Sequence, residues 1–150
     1  MKKLYFREEW CVGCGRCEVA CAIEHSESKH PVISYFFEKV RQTPRIIVER
    51  KGNISFANTC RHCEEPDCVN ACISGALYKD LSGKILYDPA KCVGCYSCIM
   101  ACPYGAIMKD LNRKERKQIV KCDLCNKREG GPACVEACPN RAIVFEERGE

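Results

Sequence analysis

Apolar residues along this chain of 150 gather in short bursts between charged and turn-forming positions. Leu4-Tyr5-Phe6 reads as a short strand. From Pro31 onward the pattern takes a helical period: Ile33, Phe36, Phe37 and Val40 fall at i, i+3, i+4 and i+7, and Pro44 stops the helix. That apolar face has two readings, a helix packed on the rest of the domain or a docking surface for a partner. Arg45-Ile46-Ile47-Val48-Glu49 and Ile54-Ser55-Phe56-Ala57 flank Arg50-Lys51-Gly52-Asn53, the signature of a β-hairpin. Gly75-Ala76-Leu77-Tyr78 and Ile85-Leu86-Tyr87 enclose a turn over Asp80 to Lys84. Gly105-Ala106-Ile107-Met108 follows, and Arg141-Ala142-Ile143-Val144-Phe145 ends the pattern as a strand. No run approaches the length of a transmembrane helix. The apolar stretch after Met1-Lys2-Lys3 is too short for an export signal and no twin-arginine pair stands there, so the cytoplasm is the expected compartment.

Composition changes that picture. Hydrophobic residues make up 46% of the chain, but 16 of its residues are Cys, and without them only about 35% is apolar. That is too little for an ordinary core, so inorganic groups are expected to do part of the packing and to contribute folding free energy. Cysteine at this density suits either a disulfide scaffold in an exported protein or metal binding inside a cell. Without an export signal the second reading stands. Zinc fits poorly, because zinc sites use pairs of C-x2-C and not triplets.

The spacing names the metal group. Cys92, Cys95, Cys98 and Cys102, with Pro103 after them, match the C-x2-C-x2-C-x3-C-P run that holds cubane iron-sulfur clusters. A tight loop with Cys at every third position turns three sulfurs onto one small object. The fourth Cys lies beyond the loop, and in two-cluster ferredoxins it ligates the other cluster. A first copy is Cys11, Cys14, Cys17 and Cys21, without the proline. A second is Cys60, Cys63, Cys68 and Cys72, with two extra residues in its loop and Pro66 stiffening the detour. The last is Cys122, Cys125, Cys134 and Cys138, with Asn126 to Ala133 looped out and Pro139 after it. All sixteen cysteines are used four by four, which predicts four 4Fe-4S clusters.

Charge follows from this. The formal net charge is +4 with every Cys neutral, whereas an oxidised cluster with its four thiolates carries about −2, so four of them bring the protein to about −4. Lys and Arg then offset cluster charge, and a nucleic-acid groove is not needed to explain them. Lys109, Arg113, Lys114, Arg116, Lys117 and Lys121, set against Asp110 and Glu115, read as a solvated loop of this kind or as an electrostatic dock for an acidic partner.

With its order of tight, widened, tight and looped motifs, nearly the whole chain resembles the four-cluster ferredoxin-like subunits of molybdenum and tungsten oxidoreductases, hydrogenases and carbon monoxide dehydrogenases. Cys60-Arg61-His62-Cys63 and Lys121-Cys122-Asp123-Leu124-Cys125 look like that family's phrases. The stretch Glu18 to Lys29 is similar to the ferredoxin-like partner of cytoplasmic carbon monoxide dehydrogenases. Two motifs depart from the pattern, ending Cys21-Ala22 and Cys72-Ile73 without proline.

If each fourth Cys crosses to another motif, three pairings are open, and neither gap lengths nor strand signals choose among them. The resemblance implies a nested α+β arrangement of two bacterial-type two-cluster ferredoxin units, with short hairpins and helices around the clusters. The outer unit would be 1–25 with 109–150 and the inner unit 54–108, beginning at Ile54-Ser55-Phe56 and ending at Ile107-Met108. Residues 26–53 would be an insertion with a short helix and a hairpin. Leu4-Tyr5-Phe6 would pair with Ile143-Val144-Phe145. The implied ligand sets are Cys11, Cys14, Cys17 with Cys138; Cys122, Cys125, Cys134 with Cys21; Cys60, Cys63, Cys68 with Cys102; and Cys92, Cys95, Cys98 with Cys72.

The implied function is electron transfer between a catalytic subunit, with carbon monoxide dehydrogenase the best guess, and a second redox protein. The alternatives are service to a hydrogenase, formate dehydrogenase or tungsten aldehyde oxidoreductase, or a free-standing polyferredoxin. An enzyme in its own right is disfavoured, because no motif lacks a ligand and no radical, nucleotide-loop or nucleophile-elbow motif is present. His62, between two ligands, is expected to donate toward cluster sulfur, while His25 and His30 are turn or interface residues.

Overall fold

The computed structural model describes residues 1–113 and 118–148. Among them the chain forms helices α1 (Arg16–Glu24), α2 (Pro31–Phe36), α3 (Asp67–Asn70), α4 (Ser97–Ala101) and α5 (Ala133–Ala137). Its strands are β1 (Lys3–Phe6), β2 (Ile46–Lys51), β3 (Ile54–Thr59), β4 (Leu77–Lys79), β5 (Ile85–Tyr87), β6 (Met108–Lys109), β7 (Ile119–Val120) and β8 (Ile143–Glu146).

Four of the helices are built alike. Each starts one residue before the third cysteine of its motif, at Cys17, Cys68, Cys98 and Cys134. Their ends follow the next residue. Cys102 and Cys138 precede prolines and are extended, with φ near −76° and ψ 111°, because a following proline disfavours the helical region. Cys21 has no proline after it, and α1 runs on through it to Glu24. The second motif also lacks the proline, yet α3 is the shortest of the five: Ala71 and Cys72 turn back onto Asp67 and Val69, and Gly75 follows with φ 65°.

The strands form four two-stranded antiparallel sheets: β1 with β8, β2 with β3, β4 with β5 and β6 with β7. The terminal strands pair as the nesting expectation required, with Leu4 opposite Phe145, Tyr5 opposite Val144 and Phe6 opposite Ile143. Between the sheets lie two apolar clusters. The larger holds Leu4, Ile46, Val48, Ala57, Leu124 and Ile143 with Cys17, Cys21, Cys60, Cys122 and Cys134. The smaller holds Leu77, Ile85, Ile107 and Ile119 with Cys68 and Cys98. Cysteine thus fills much of both interiors.

Three local expectations change. Helix α2 stops at Phe36, well before Pro44, because Phe37 and Glu38 both donate back to the Ile33 carbonyl and Glu38 also accepts from Ser28. Val40 therefore lies off the helix, and its face does not pack inward: Phe36 is 70% and Phe37 75% exposed. The expected hairpin forms, and the two ends read for the inner unit lie on different sheets. A tight turn at Gly52-Asn53 gives β3 to β2, and β6 takes Ile119–Val120, a strand too short to show in the apolar pattern. The hairpin also straddles residue 53 and lies on the first motif, where Ser55 Oγ donates to the Cys11 carbonyl at 2.8 Å and the Val48 N–H to Glu18 at 2.8 Å. In the basic stretch Lys109 and Arg113 are exposed but Lys121 is buried; Lys114, Glu115, Arg116 and Lys117 lie outside the described residues.

Ile143 is 3% exposed on β8, so Ile143→Ala is expected to cost about 2–5 kcal/mol, whereas Leu81→Ala at an exposed turn should change stability by less than about 0.5 kcal/mol. Anaerobic denaturant unfolding of the metal-loaded protein measures both. Equal midpoints would place Ile143 outside the core.

Candidate metal centres

Each motif loop turns through a left-handed residue just before its second cysteine: Gly13 (φ 66°), His62 (47°), Gly94 (71°) and Leu124 (57°). Two are glycines, for which this region carries no Cβ penalty. At Gly13 space also matters, since a Cβ would come within 3.2 Å of Ser55. His62 and Leu124 sustain the conformation as buried residues held by their surroundings.

The loops and helices bring the sulfurs into four groups. Cys11, Cys14 and Cys17 line one cavity together with Cys138. Cys92, Cys95 and Cys98 line another with Cys72. Cys21 interacts electrostatically with Cys122 and Cys125, and Cys134 with Cys122, Cys21 and Cys125. Cys63 and Cys68 interact in the same way with Cys60 and Cys102. In each group the fourth sulfur comes from another motif. Neighbouring groups meet where Cys134 feels Cys17 and where Cys122 feels Cys60. Cys14 and Cys95 are exposed, one in each outer group.

All sixteen cysteines are free thiols. Burial pushes Cys17, Cys68 and Cys122 up from the usual 9.0 to about 11 and Cys21 to about 12, and it raises Cys134 too. Left unmetallated, these groups would be protonated, so loading a cation expels protons. Backbone donors already aim at the sulfurs. Arg45 N–H lies 3.2 Å from Cys21 Sγ, Leu77 N–H 3.4 Å from Cys72, Leu124 N–H 3.3 Å from Cys122 and Ala142 N–H 3.3 Å from Cys138. Such bonds stabilise thiolate and tune a bound cluster.

His62, 1% exposed, accepts the Ile85 N–H at Nδ1 over 2.9 Å. Burial, helped by the charge of Lys121, pushes its pKa down to about 3. The ring is therefore neutral with its proton on Nε2, and Nε2 has no partner among the described residues. An orphaned donor at this depth between two loop cysteines fits an acceptor supplied by a bound group.

The donor set also separates a cluster from a single ion. In a tetrahedral zinc site four sulfurs would stand about 3.8 Å apart. Among the described residues the trio whose ligand atoms all lie within 4.8 Å of one another is His25, Asp123 and Cys125, and no three cysteines do so. The sulfur groups are open wider than one ion needs. The trio itself belongs to an ion-pair network: His25 places Nδ1 2.8 Å from the Cys21 carbonyl and Nε2 3.1 Å from Asp123, which also meets Arg45 at 2.8 Å. Burial alone would raise the Asp123 carboxyl, but His25 and Arg45 hold it below the usual carboxylate range. His25 thereby joins the first motif to the fourth, and His30 caps α2. No signal in the sequence marks Asp123 or Arg45 as their partners, because 98 residues separate His25 from Asp123.

With so much of the interior made of metal ligands, stripping the protein with an iron chelator should collapse its far-UV circular dichroism in step with the loss of visible absorption. A stripped chain that keeps its native spectrum would contradict this.

The 4Fe-4S dicluster domain model matches residues 53–148, and a 4Fe-4S binding domain model matches residues 8–22. The chain is 40% identical to Electron transport protein HydN of Escherichia coli (strain K12), over 93% of this chain and 85% of that one. It is 34% identical to a sulfite dehydrogenase subunit of Allochromatium vinosum, over 90% of this chain and 64% of that one. Its fold is similar to a chain of the active site complex BamBC of Benzoyl Coenzyme A reductase, with a TM-score of 0.52 and 22% identity, over 99% of this chain and 80% of that one. A family model that spans most of the motifs, together with a relative matched over this share of both chains, shows that the chain belongs to the 4Fe-4S dicluster domain family of iron-sulfur electron-transfer proteins.

Proposed function

We propose that the chain holds four 4Fe-4S clusters in a row and passes electrons between a catalytic oxidoreductase subunit and a second redox protein. The observation that carries this reading is the lining of two cavities, where Cys138 joins Cys11, Cys14 and Cys17 and Cys72 joins Cys92, Cys95 and Cys98, and electrostatic neighbours support the same crossing for the other two sets. The ligand sets are then Cys11, Cys14, Cys17 and Cys138; Cys21, Cys122, Cys125 and Cys134; Cys60, Cys63, Cys68 and Cys102; and Cys72, Cys92, Cys95 and Cys98. On this assignment the first two sets form an outer unit (1–25 and 109–150) around an inner one (54–108), a nesting that the pairing of β1 with β8 supports.

Each bound cluster supplies a one-electron couple whose potential the protein tunes. The chain's own part is to order the sites. Helix α1 carries Cys17 of the first set and Cys21 of the second, and α5 returns Cys134 to the second and Cys138 to the first. Helices α3 and α4 join the third and fourth sets in the same way. The exposed thiols Cys14 and Cys95 mark the two ends at which electrons enter and leave.

The partner class is supported by the name of the sulfite dehydrogenase relative, itself one chain of an oxidoreductase. Within that class we favour carbon monoxide dehydrogenase, on the resemblance of Glu18 to Lys29, ahead of hydrogenase, formate dehydrogenase and tungsten aldehyde oxidoreductase. The exposed face of α2 and its flank, with Val32, Ile33, Phe36 and Phe37, is a surface for such a partner. No helix among the described residues is long and apolar enough to cross a membrane.

Anaerobically purified protein should contain about sixteen irons and sixteen sulfides and titrate as four one-electron couples. It should copurify with a larger redox enzyme while turning over no carbon monoxide, formate or aldehyde by itself. Replacing Phe36 and Phe37 by Ser should weaken that copurification without loss of iron. Eight irons, or unaided turnover, would overturn the reading; migration as a lone small protein would favour the free-standing carrier.

A further inference from the structure

Lys121 is a buried cation held by backbone carbonyls. It follows β7, is 3% exposed, and its ammonium donates to the Ile85 carbonyl and, at 2.7 Å, to the Cys122 carbonyl. Among the described residues no acidic side chain pairs with it. A lone ammonium at this depth carries a desolvation cost that two carbonyl dipoles offset only in part. The remaining compensation has to come from negative charge nearby. Lys121 reaches both neighbouring sets, since its ammonium donates to the carbonyl of Cys122 in the second and to that of Ile85, whose own N–H donates to His62 in the loop of the third, and cysteine thiolates there supply the charge. Those two sets are themselves neighbours through Cys60 and Cys122.

We propose that Lys121 is the shared counter-charge of the second and third clusters, the middle pair of the row, and raises the reduction potentials of both. The inference rests on the four-cluster reading above. Adding an electron to a site of charge about −2 makes it more negative, and a fixed positive charge in a low-dielectric interior stabilises the reduced form more than the oxidised one. Lys109 and Arg113 cannot act in this way, since solvent and salt screen exposed charges. Lys121 stands at the junction of the second and third sets, so its effect falls on the middle of the row. A purely structural strut would bind the same carbonyls but leave the potentials alone.

The test is a redox titration of anaerobically purified protein followed by electron paramagnetic resonance, with iron counted in each sample. The variants are Lys121→Gln, which keeps donors without charge, Lys121→Met, and Lys121→Arg, which keeps the charge. In Lys121→Gln two of the four couples should fall by at least tenfold in their reduction constants, 59 mV for one electron. The other two should move much less, the shift should be the same at low and high salt, and Lys121→Arg should stay near the unaltered protein. Full iron in Lys121→Gln with unchanged potentials overturns the proposal, as does an equal shift of all four couples. Should Lys121→Gln lose iron, Lys121→Met is measured in its place. Loss of iron in both neutral variants but not in Lys121→Arg supports the counter-charge, and loss in all three overturns it. Fewer than four couples in the unaltered protein would instead overturn the four-cluster reading.

Discussion

The fourth cysteine of every motif lies four positions after the third, inside the helix for Cys21, at the helix end for Cys102 and Cys138, and two residues past it for Cys72. On the proposed ligand sets the fourth sulfur serves a different loop from the third, and no motif completes itself. Helix α1 must therefore lie against α5 and α3 against α4, and the small sheets occupy what space remains. The architecture is a set of reciprocal debts between loops, with the hairpins as infill.

Burial of thiols makes the fold conditional. Apolar residues alone would leave two thin clusters, each interrupted by sulfur, and the desolvated thiols favour the protonated state unless a cation replaces the proton. The interior also contains Lys121 and the neutral ring of His62, with the half-buried Asp123 network close by. Among the described residues an unmetallated interior would leave Lys121 with carbonyl partners only. Metal loading and folding are thus two descriptions of one equilibrium.

The sequence carried the chemistry further than it carried the packing. Cysteine spacing is a local property, so the four motifs, their helices and the strands around Leu4, Leu77, Ile85 and Ile143 were legible along the chain. Which fourth sulfur joins which loop was not, because that depends on contacts such as β1 with β8 that span the whole length. Helix α2 was overestimated for a related reason: its periodicity is real over Ile33 to Val40, but the Ser28 to Glu38 contacts close the loop early and nothing covers the apolar side chains. Lys121 looked like one more basic residue in a charged stretch, since no sequence pattern distinguishes a buried lysine from a solvated one. His25 and Asp123 illustrate the same limit across 98 residues.

Antiparallel pairing of β1 and β8 leaves the two ends of the described chain on one small sheet, with the Met1 ammonium against Glu147. A ring closed by a short linker there would be nearly free of strain, and new ends could be cut at the exposed Gly52-Asn53 turn without touching a ligand loop. The same closeness lets the unit sit within a surface loop of another polypeptide as a self-contained conducting cassette. Its host would need to present two insertion points one inter-strand spacing, roughly 5 Å, apart.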